Sequence, residues 1–402
     1  MIKVSQAVIF VGGLGTRLGK ITKKIPKPLI KVNNKPFIEH LIYFFSKQGI
    51  EEIILLTGYK KNLFKKKYHK KIFFQKTKVI CCGESKPLGT GGALLNAKKF
   101  LNDYFYLCNG DTYFDFNLQD LKLNMKKNSL IKLAIAKKKG NKNRYSYLSF
   151  NKNKVLSFSS NRAINSGYIN SGYYFVNKKI LKKINKKICS LESDIFPNLI
   201  KEKKVEAKLY KEKFNKFIDI GIPKDLKRSD RFLNMHINKK AVFLDRDGVI
   251  NKDFGYVHKK EKILWRKNIF KFLNFLKNRG FLVFVITNQS GVGRGYYNLK
   301  DVNNLHNWMN SVLMENGSYI DEFYYSPYYK FSTNKKFRKN ANLRKPGIGF
   351  FKIAKKKFRF MTKKSFMIGD TLSDMQFAKN SKLNGFQLKF SDDIMKLLKT
   401  IN

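Results

Sequence analysis

Two apolar runs in this chain pass straight into motifs suited to phosphate, and each one predicts a parallel α/β sheet around it. Val4–Val11 leads into Gly12, Gly13 and Gly15, and Ala241–Leu244 leads into Asp245-Arg246-Asp247-Gly248. Open parallel sheets place their ligands beyond the carboxyl ends of such strands. The runs Ile53–Thr57, Val79–Cys82, Tyr104–Cys108 and Ile131–Ala136 continue the first series, alternating with amphipathic, lysine-rich stretches. Leu282–Thr287, Ser365–Ile368 and Gly385–Leu388 continue the second. The alternation predicts α/β layering in two domains, the first on a mostly parallel mixed sheet and the second a three-layer α/β/α unit. A polar, helix-compatible stretch at Asp225–Lys240 separates the series. The boundary is placed there, giving domains 1–236 and 237–402.

Length supports this division, since 402 residues suffice for two cores. The net charge of +55 invites a polyanion as partner. Lysine is spread through every segment, however, and no helix-turn-helix, zinc finger or aromatic RNA-binding motif accompanies it. The charge therefore reads as a solvated surface, with no specific nucleic acid expected. No apolar run approaches the ~20 residues of a membrane span, and Ala7–Val11 reads as a buried strand rather than a signal peptide. Cys81, Cys82, Cys108 and Cys189 lack CxxC spacing, which suits a reducing, cytoplasmic setting. Oligomeric state is not legible.

In the first motif set, glycines after a strand let the backbone approach phosphate and offer N–H groups. Arg17 adds a charged fork. Lys27, stiffened between Pro26 and Pro28, can aim its ammonium at phosphate. Other glycine loops fail: a dinucleotide fingerprint needs glycine where Leu18 stands, and a Walker loop needs Ser or Thr where Ile21 stands. PLGTGGAL (87–94), NGDTYF (109–114), INSGYYF (169–175) and FIDIGIP (217–223) complete the set. Together these residues resemble the sugar-1-phosphate nucleotidyltransferases, whose domain is Rossmann-like. The likeness runs from residue 1 to about 235. It is strongest to the D-glycero-α-D-manno-heptose-1-phosphate guanylyltransferases.

The resemblance implies Mg²⁺ on Asp111 and Asp219, a triphosphate steadied by Arg17 and Lys27, the base near Gly89, Thr90 and Gly91, and the sugar near Asn170. It implies GTP and a heptose phosphate as substrates. Many members carry Glu-Lys before the INxG stretch; here Asn161 or Arg162 falls near that lysine, and Arg162 is the candidate to replace its charge.

In the second set, Asp245 and Asp247 at i and i+2 on extended backbone point to one side. One can attack phosphorus while the other moves a proton. Asp370 and Asp374 share a face if a helix starts at Asp370. Four converging carboxylates call for Mg²⁺. Thr287 and Lys345 would hold the transferring phosphoryl oxygens. This pattern resembles the haloacid-dehalogenase-type phosphatases over about residues 238–400. DRDGVINKDFGYVH (245–258), TNQSGVGRGYY (287–297) and RKPGIGFF (344–351) are similar to D-glycero-D-manno-heptose 1,7-bisphosphate phosphatases, with histidinol-phosphate phosphatase a near relative.

That resemblance makes Arg344 a phosphate-assisting residue and puts Asn288 and Arg294 at the substrate. The subfamily holds a structural zinc in a loop reading roughly CPH…CxCRKP. Here Ser326, Pro327 and Tyr328, then Ala341 and Leu343, stand at those places. No structural zinc is expected, and the loop's aromatic residues are left to hold it. His236, His258 and His306 lack ligand spacing and read as surface or loop residues.

A bifunctional enzyme making GDP-heptose for a surface polysaccharide follows from the two resemblances together. A hexose-1-phosphate nucleotidyltransferase joined to another sugar phosphatase fits the same motifs. A nucleic-acid-binding protein on a degenerate scaffold is opposed by the intact Asp111, Asp219, Asp245 and Asp370.

Overall fold

The computed structural model describes residues 4–74, 76–139, 147–151, 153–159, 166–211, 216–235, 239–338 and 341–401. Contacts separate two compact units, Ile2–Asn234 and Met235–Asn402. The expected boundary at 236/237 lies outside the described residues.

The first unit is built on a ten-stranded mixed sheet. Its order is Tyr147–Asn151, Lys154–Ser159, Val205–Tyr210, Ile131–Lys139, Ser166–Asn177, Tyr104–Asn109, Gln6–Phe10, Glu52–Thr57, Thr77–Gly83 and Lys71–Phe73. The run Tyr104–Asn109, Gln6–Phe10, Glu52–Thr57, Thr77–Gly83 is parallel throughout. Beyond it Ser166–Asn177 pairs antiparallel with both neighbours. Alternate residues feed two cores. Ala7, Ile9, Ile53 and Leu55 join one, while Val8, Ile54 and Leu56 join the other. Burial on both faces explains the uninterrupted apolar runs. A separate two-stranded ribbon pairs Thr112–Asp115 with Lys216–Asp219.

The second unit has five parallel strands in the order Glu322–Ser326, Leu282–Asn288, Ala241–Leu244, Phe366–Gly369 and Asn384–Gln387. Val242, Leu244, Val283 and Val285 face one core and Ala241, Phe243, Phe284 and Ile286 the other. That division makes the three layers. Phe243 alone meets the rings of Phe284, Phe351, Phe360 and Phe377 at centroid distances of 5.0–6.4 Å. Such ring pairs add about 0.5–1.5 kcal/mol each beyond area burial.

Both sheets reverse their winding at one strand. Gln6–Phe10 lies between Glu52–Thr57 and Tyr104–Asn109, and Ala241–Leu244 lies between Leu282–Asn288 and Phe366–Gly369. A crevice opens at such a switch point because the flanking connections leave in opposite directions. Among the described residues no helix is long and apolar enough to cross a membrane.

Candidate active sites

At the first switch point lies a cavity of about 560 Å³, lined by Gly12, Gly13, Leu14, Gly15, Lys27, Glu84, Thr90, Asn109 and Asp111, among others. A second cavity of about 240 Å³ is lined by Arg17, Asn109, Asp111, Asn170, Tyr174, Glu192, Phe217 and Asp219, among others. Asn109 and Asp111 line both. The two Asp-bearing segments meet through the main chain, where Ile220 N donates to the Asp111 carbonyl at 2.9 Å. Lys27 is buried in the Lys27–Leu29 turn, and its Nζ donates to Asp111 Oδ2 at 2.8 Å. Arg17 lines the smaller cavity and Lys27 the larger, with Asp111 common to the two.

The 87–94 motif forms the helix Gly89–Asn96, but its glycines are used internally. Gly91 N and Gly92 N both donate to the Cys189 carbonyl, at 2.9 and 3.3 Å. A Cβ on Gly89 would lie 2.4 Å from the Cys189 oxygen, and one on Gly92 would lie 2.1 Å from the Lys187 oxygen. Close approach of residues 187–189 requires glycine here. Thr90 Oγ1 donates to Glu192 Oε2 at 2.8 Å, and Asn170 Nδ2 donates to the Tyr174 hydroxyl at 2.8 Å. Glu192 and Glu84 went unnoticed in the sequence because neither belongs to a motif with a spacing rule. Glu84 is pressed between Gly12 and Gly58, and burial raises its carboxyl above the usual range. Arg162 lies outside the described residues.

At the second switch point, oxygens of Asp245, Asp370 and Asp374 lie within 4.8 Å of one another. Asp245 follows the end of its strand, where its N donates to the Ile368 carbonyl. Asp374 sits in the first turn of the helix Leu372–Ser381. Its Oδ2 accepts from Thr371 N and Thr371 Oγ1. Its Oδ1 meets Lys345 Nζ at 2.5 Å, and Lys345 also meets Asp245 Oδ2 at 2.8 Å. Burial pushes the Asp245 carboxyl up to about 7, Lys345 opposing and Asp374 and Asp247 adding. For Lys345, burial disfavours the ammonium, but Asp245 and Asp374 outweigh it and raise its pKa. Asp370 Oδ1 is buried with no hydrogen-bond partner among the described residues. A Cβ on Gly248, at φ +79°, would lie 2.0 Å from Asp370 Oδ2. An all-oxygen set with one orphaned carboxylate oxygen fits a hard divalent cation such as Mg²⁺.

Asp247 stands apart from that trio. The chain turns after Asp245, and the Asp247 carboxylate accepts from Arg246 Nε and NH2, Asn251 Nδ2 and Gln289 Nε2. Thr287, next to last in its strand, is buried, with Oγ1 accepting from Gln289 Nε2 at 3.0 Å. Asn288 brackets the Lys345 main chain, accepting from its N at 3.1 Å and donating to its carbonyl at 3.3 Å. Arg294 stacks over the Tyr329 ring at 3.8 Å. Arg344 donates to the Tyr328 carbonyl, and burial and then the Arg294 charge lower its pKa.

The loop after Ser326 is tied by Tyr329 N to the Phe337 carbonyl at 2.8 Å and Arg338 Nε to the Ser332 carbonyl at 2.7 Å.

One sequence expectation is corrected. His306 is not a surface residue but lies 4% exposed in the helix Leu299–Glu315, stacked on Phe323 with centroids 4.6 Å apart. Helical periodicity turns position 306 inward alongside Val302 and Met309. Burial, then the Arg246 charge, hold its pKa well below the ordinary value. A histidine whose folded pKa is depressed takes up its proton on unfolding. It therefore costs stability as pH falls below the unfolded value of ~6.5, by up to about 1.4 kcal/mol per pH unit. Denaturant titrations should show wild-type losing more stability than H306F between about pH 6.5 and 5. Parallel curves would contradict this. His258 is half-buried, and His236 lies outside the described residues.

Known proteins divide along the same line. The nucleotidyl transferase family model matches residues 6–235, and the polynucleotide kinase 3 phosphatase model matches residues 240–394. D-glycero-α-D-manno-heptose 1-phosphate guanylyltransferase of Campylobacter jejuni is 38% identical over 221 residues, 55% of this chain and 96% of that protein. D-glycero-β-D-manno-heptose-1,7-bisphosphate 7-phosphatase of Rhodopseudomonas palustris is 38% identical over 154 residues, 38% of this chain and 86% of that protein. The crystal structure of HddC from Yersinia pseudotuberculosis complexed with GMP-PN is 31% identical, with a TM-score of 0.50 over 57% of this chain and 100% of that one. With the switch-point cavity and glycine loop in one unit and the aspartate trio in the other, this chain belongs to the nucleotidyl transferase family through a heptose-1-phosphate guanylyltransferase-like domain, followed by a heptose-1,7-bisphosphate phosphatase-like domain of the haloacid-dehalogenase type.

Proposed function

We propose that this chain removes the 7-phosphate of D-glycero-D-manno-heptose 1,7-bisphosphate and then transfers GMP from GTP to the heptose 1-phosphate, giving GDP-heptose and pyrophosphate. One observation carries the reading: two built sites in one chain have relatives, among them a phosphatase of Burkholderia mallei named for the α bisphosphate, whose named reactions share α-heptose 1-phosphate as product of one and substrate of the other. Cleaving the 7-phosphate leaves C1 untouched. The α configuration named for the guanylyltransferase relative must then already be present in the bisphosphate.

In the phosphatase half, the Asp245 carboxylate attacks phosphorus and the P–O7 bond breaks. Asp247 gives its proton to the departing oxygen and takes one from the water that cleaves the aspartyl phosphate. Lys345 and Thr287 hold the phosphoryl oxygens, with Asn288 fixing the Lys345 backbone. Arg344 and Arg294, two neighbouring cations, suit the rest of a doubly phosphorylated substrate. Asp245, Asp370 and Asp374 would hold Mg²⁺, which neutralises charge developing on the phosphoryl group.

In the transferase half, the sugar phosphate oxygen displaces pyrophosphate from the α-phosphorus. Gly12, Gly13, Gly15 and Lys27 line the nucleotide side, while Asn170 and Arg17 line the sugar side. Asp111 and Asp219 would hold the transferase Mg²⁺. A carboxylate at Glu84 supports guanine, whose N1–H and N2–H₂ are adjacent donors for two carboxylate oxygens. Both substrates are cytoplasmic metabolites, and all four cysteines are free, as suits that compartment.

Mass spectrometry of products from the bisphosphate with each of the four NTPs and Mg²⁺ tests the whole reading. GDP-heptose should appear with GTP alone. No nucleotide-sugar product, or a preference for another base, refutes the corresponding part.

The metals have their own readout. Millimolar Mg²⁺ should raise the thermal midpoint of the phosphatase unit by relieving repulsion among three carboxylates, and D370N/D374N should lose that response. Elemental analysis should find no stoichiometric zinc, because Ser326, Tyr328, Ala341 and Leu343 offer no Cys or His ligand. One tightly held zinc per chain, or a Mg²⁺ response that survives the double substitution, would count against this assignment.

A further inference from the structure

We propose that Arg246 and His306 form a positioning pair that holds the Asp247 carboxylate in place for proton transfer to the leaving sugar oxygen. The proposal rests on the phosphatase reading above and adds two residues with no role in it.

Arg246 separates the two motif aspartates and is fully buried. A buried guanidinium is tolerated only when its charge and its N–H groups are matched. Here Nε and NH2 form a fork on Asp247, at 3.1 Å to Oδ1 and 2.7 Å to Oδ2. NH2 also donates to the Val257 carbonyl at 2.5 Å, and NH1 lies 3.2 Å from His306 Nε2. With Asn251 at Oδ1 and Gln289 at Oδ2, both carboxylate oxygens are held from two directions. Tyr297 steadies Gln289 in turn, its hydroxyl donating to Oε1 at 2.8 Å. Asp247 therefore has one orientation, and the guanidinium that imposes most of it is anchored at its far end by His306.

His306 suits that anchoring task better than a packing task. Its ring must stay neutral to accept from a cation, and burial together with the Arg246 charge keeps it so. For packing alone the residue is a poor choice. Its Nδ1 has no partner among the described residues, and a phenylalanine would stack equally well on Phe323 and meet Tyr325. Without the Nε2 acceptor, a buried Arg246 N–H would be left unpaired, at a cost of about 1–3 kcal/mol. The guanidinium would turn to recover a partner and loosen the fork.

The chemistry makes this visible. As Asp245 bonds to phosphorus, the P–O7 electron pair passes to O7, which takes the Asp247 proton. An alkoxide needs that proton to leave, whereas p-nitrophenolate leaves without it.

The test compares wild-type, H306F and H306Q on heptose 1,7-bisphosphate and on p-nitrophenyl phosphate. H306F keeps the ring stack and loses the acceptor, while H306Q supplies an acceptor. In H306F, the single-turnover rate of P–O cleavage, which leaves out the aspartyl-phosphate hydrolysis common to both esters, should fall about tenfold for the bisphosphate and stay within about twofold for the aryl ester. H306Q should resemble wild-type on both. An unchanged bisphosphate rate in H306F, an equal fall on both esters, or equal impairment in H306Q overturns the proposal. If H306F does not fold, R246K, which keeps the charge and loses the fork, is read on the same pair of esters. Selective loss on the bisphosphate supports the pair, and any other pattern overturns it. Wild-type that hydrolyses neither ester would instead defeat the phosphatase reading.

Discussion

D245N should abolish phosphate release from the heptose bisphosphate, by at least about a thousandfold, because an amide oxygen cannot form the aspartyl phosphate. The substitution is nearly isosteric at the end of the strand Ala241–Leu244, so the sheet has no cause to change. Lys345 keeps its contact with Asp374 at 2.5 Å. Burial already disfavours charge at Asp245. Replacing a strained carboxylate with a neutral amide should therefore leave the thermal midpoint equal or higher, even as turnover vanishes. Phosphate assays beside thermal unfolding separate the two effects. Near-normal release by D245N would refute the covalent route, and lost turnover with a collapsed midpoint would show that Asp245 matters to the fold instead.

D111N should stop nucleotide-sugar formation while phosphate release continues. Asp111 is common to the two cavities described above, so its carboxylate lies where the nucleotide and sugar phosphates would meet. Asparagine keeps an acceptor for Lys27 Nζ but loses the charge that the ammonium faces at 2.8 Å. It also removes an anionic ligand from the proposed magnesium site. Loss of such electrostatic stabilisation costs several kcal/mol, about a hundred- to a thousandfold in rate. Chromatography of products from GTP and heptose 1-phosphate reads the loss. Because the phosphatase residues belong to the other compact unit, phosphate release should stay near wild-type. Full transfer activity in D111N would sink the assignment.

What was legible in the sequence was whatever repeats with a short period or ends a buried strand. The parallel cores could be read because strands buried on both faces show as unbroken apolar runs, and Asp245 and Asp370 because each closes such a run. The antiparallel half of the first sheet was harder. Strands such as Lys154–Ser159 mix polar and apolar residues and resemble loops one at a time. Glu322–Ser326, an edge strand with only Tyr324 and Ser326 buried, was missed for the same reason.

At the sites, motif membership predicted proximity but not duty. Asn288 holds Lys345, and the glycines of 89–92 accommodate residues 187–189. His306 was misjudged because a lone histidine gives no sign in the sequence of the arginine, sixty residues away, that it meets.

The seam between Gly89–Gly92 and Lys187–Cys189 bears on how such an enzyme can diversify. Two stretches of chain about a hundred residues apart are laminated, with no space for a Cβ at Gly89 or Gly92. A lineage cannot alter Gly89 or Gly92 by a single step, since a Cβ there would collide with the Cys189 or Lys187 carbonyl. Leu14, which lines the cavity and is 57% exposed, carries no such constraint. Such an exposed lining residue is therefore free to drift in single steps, while the seam is inherited whole.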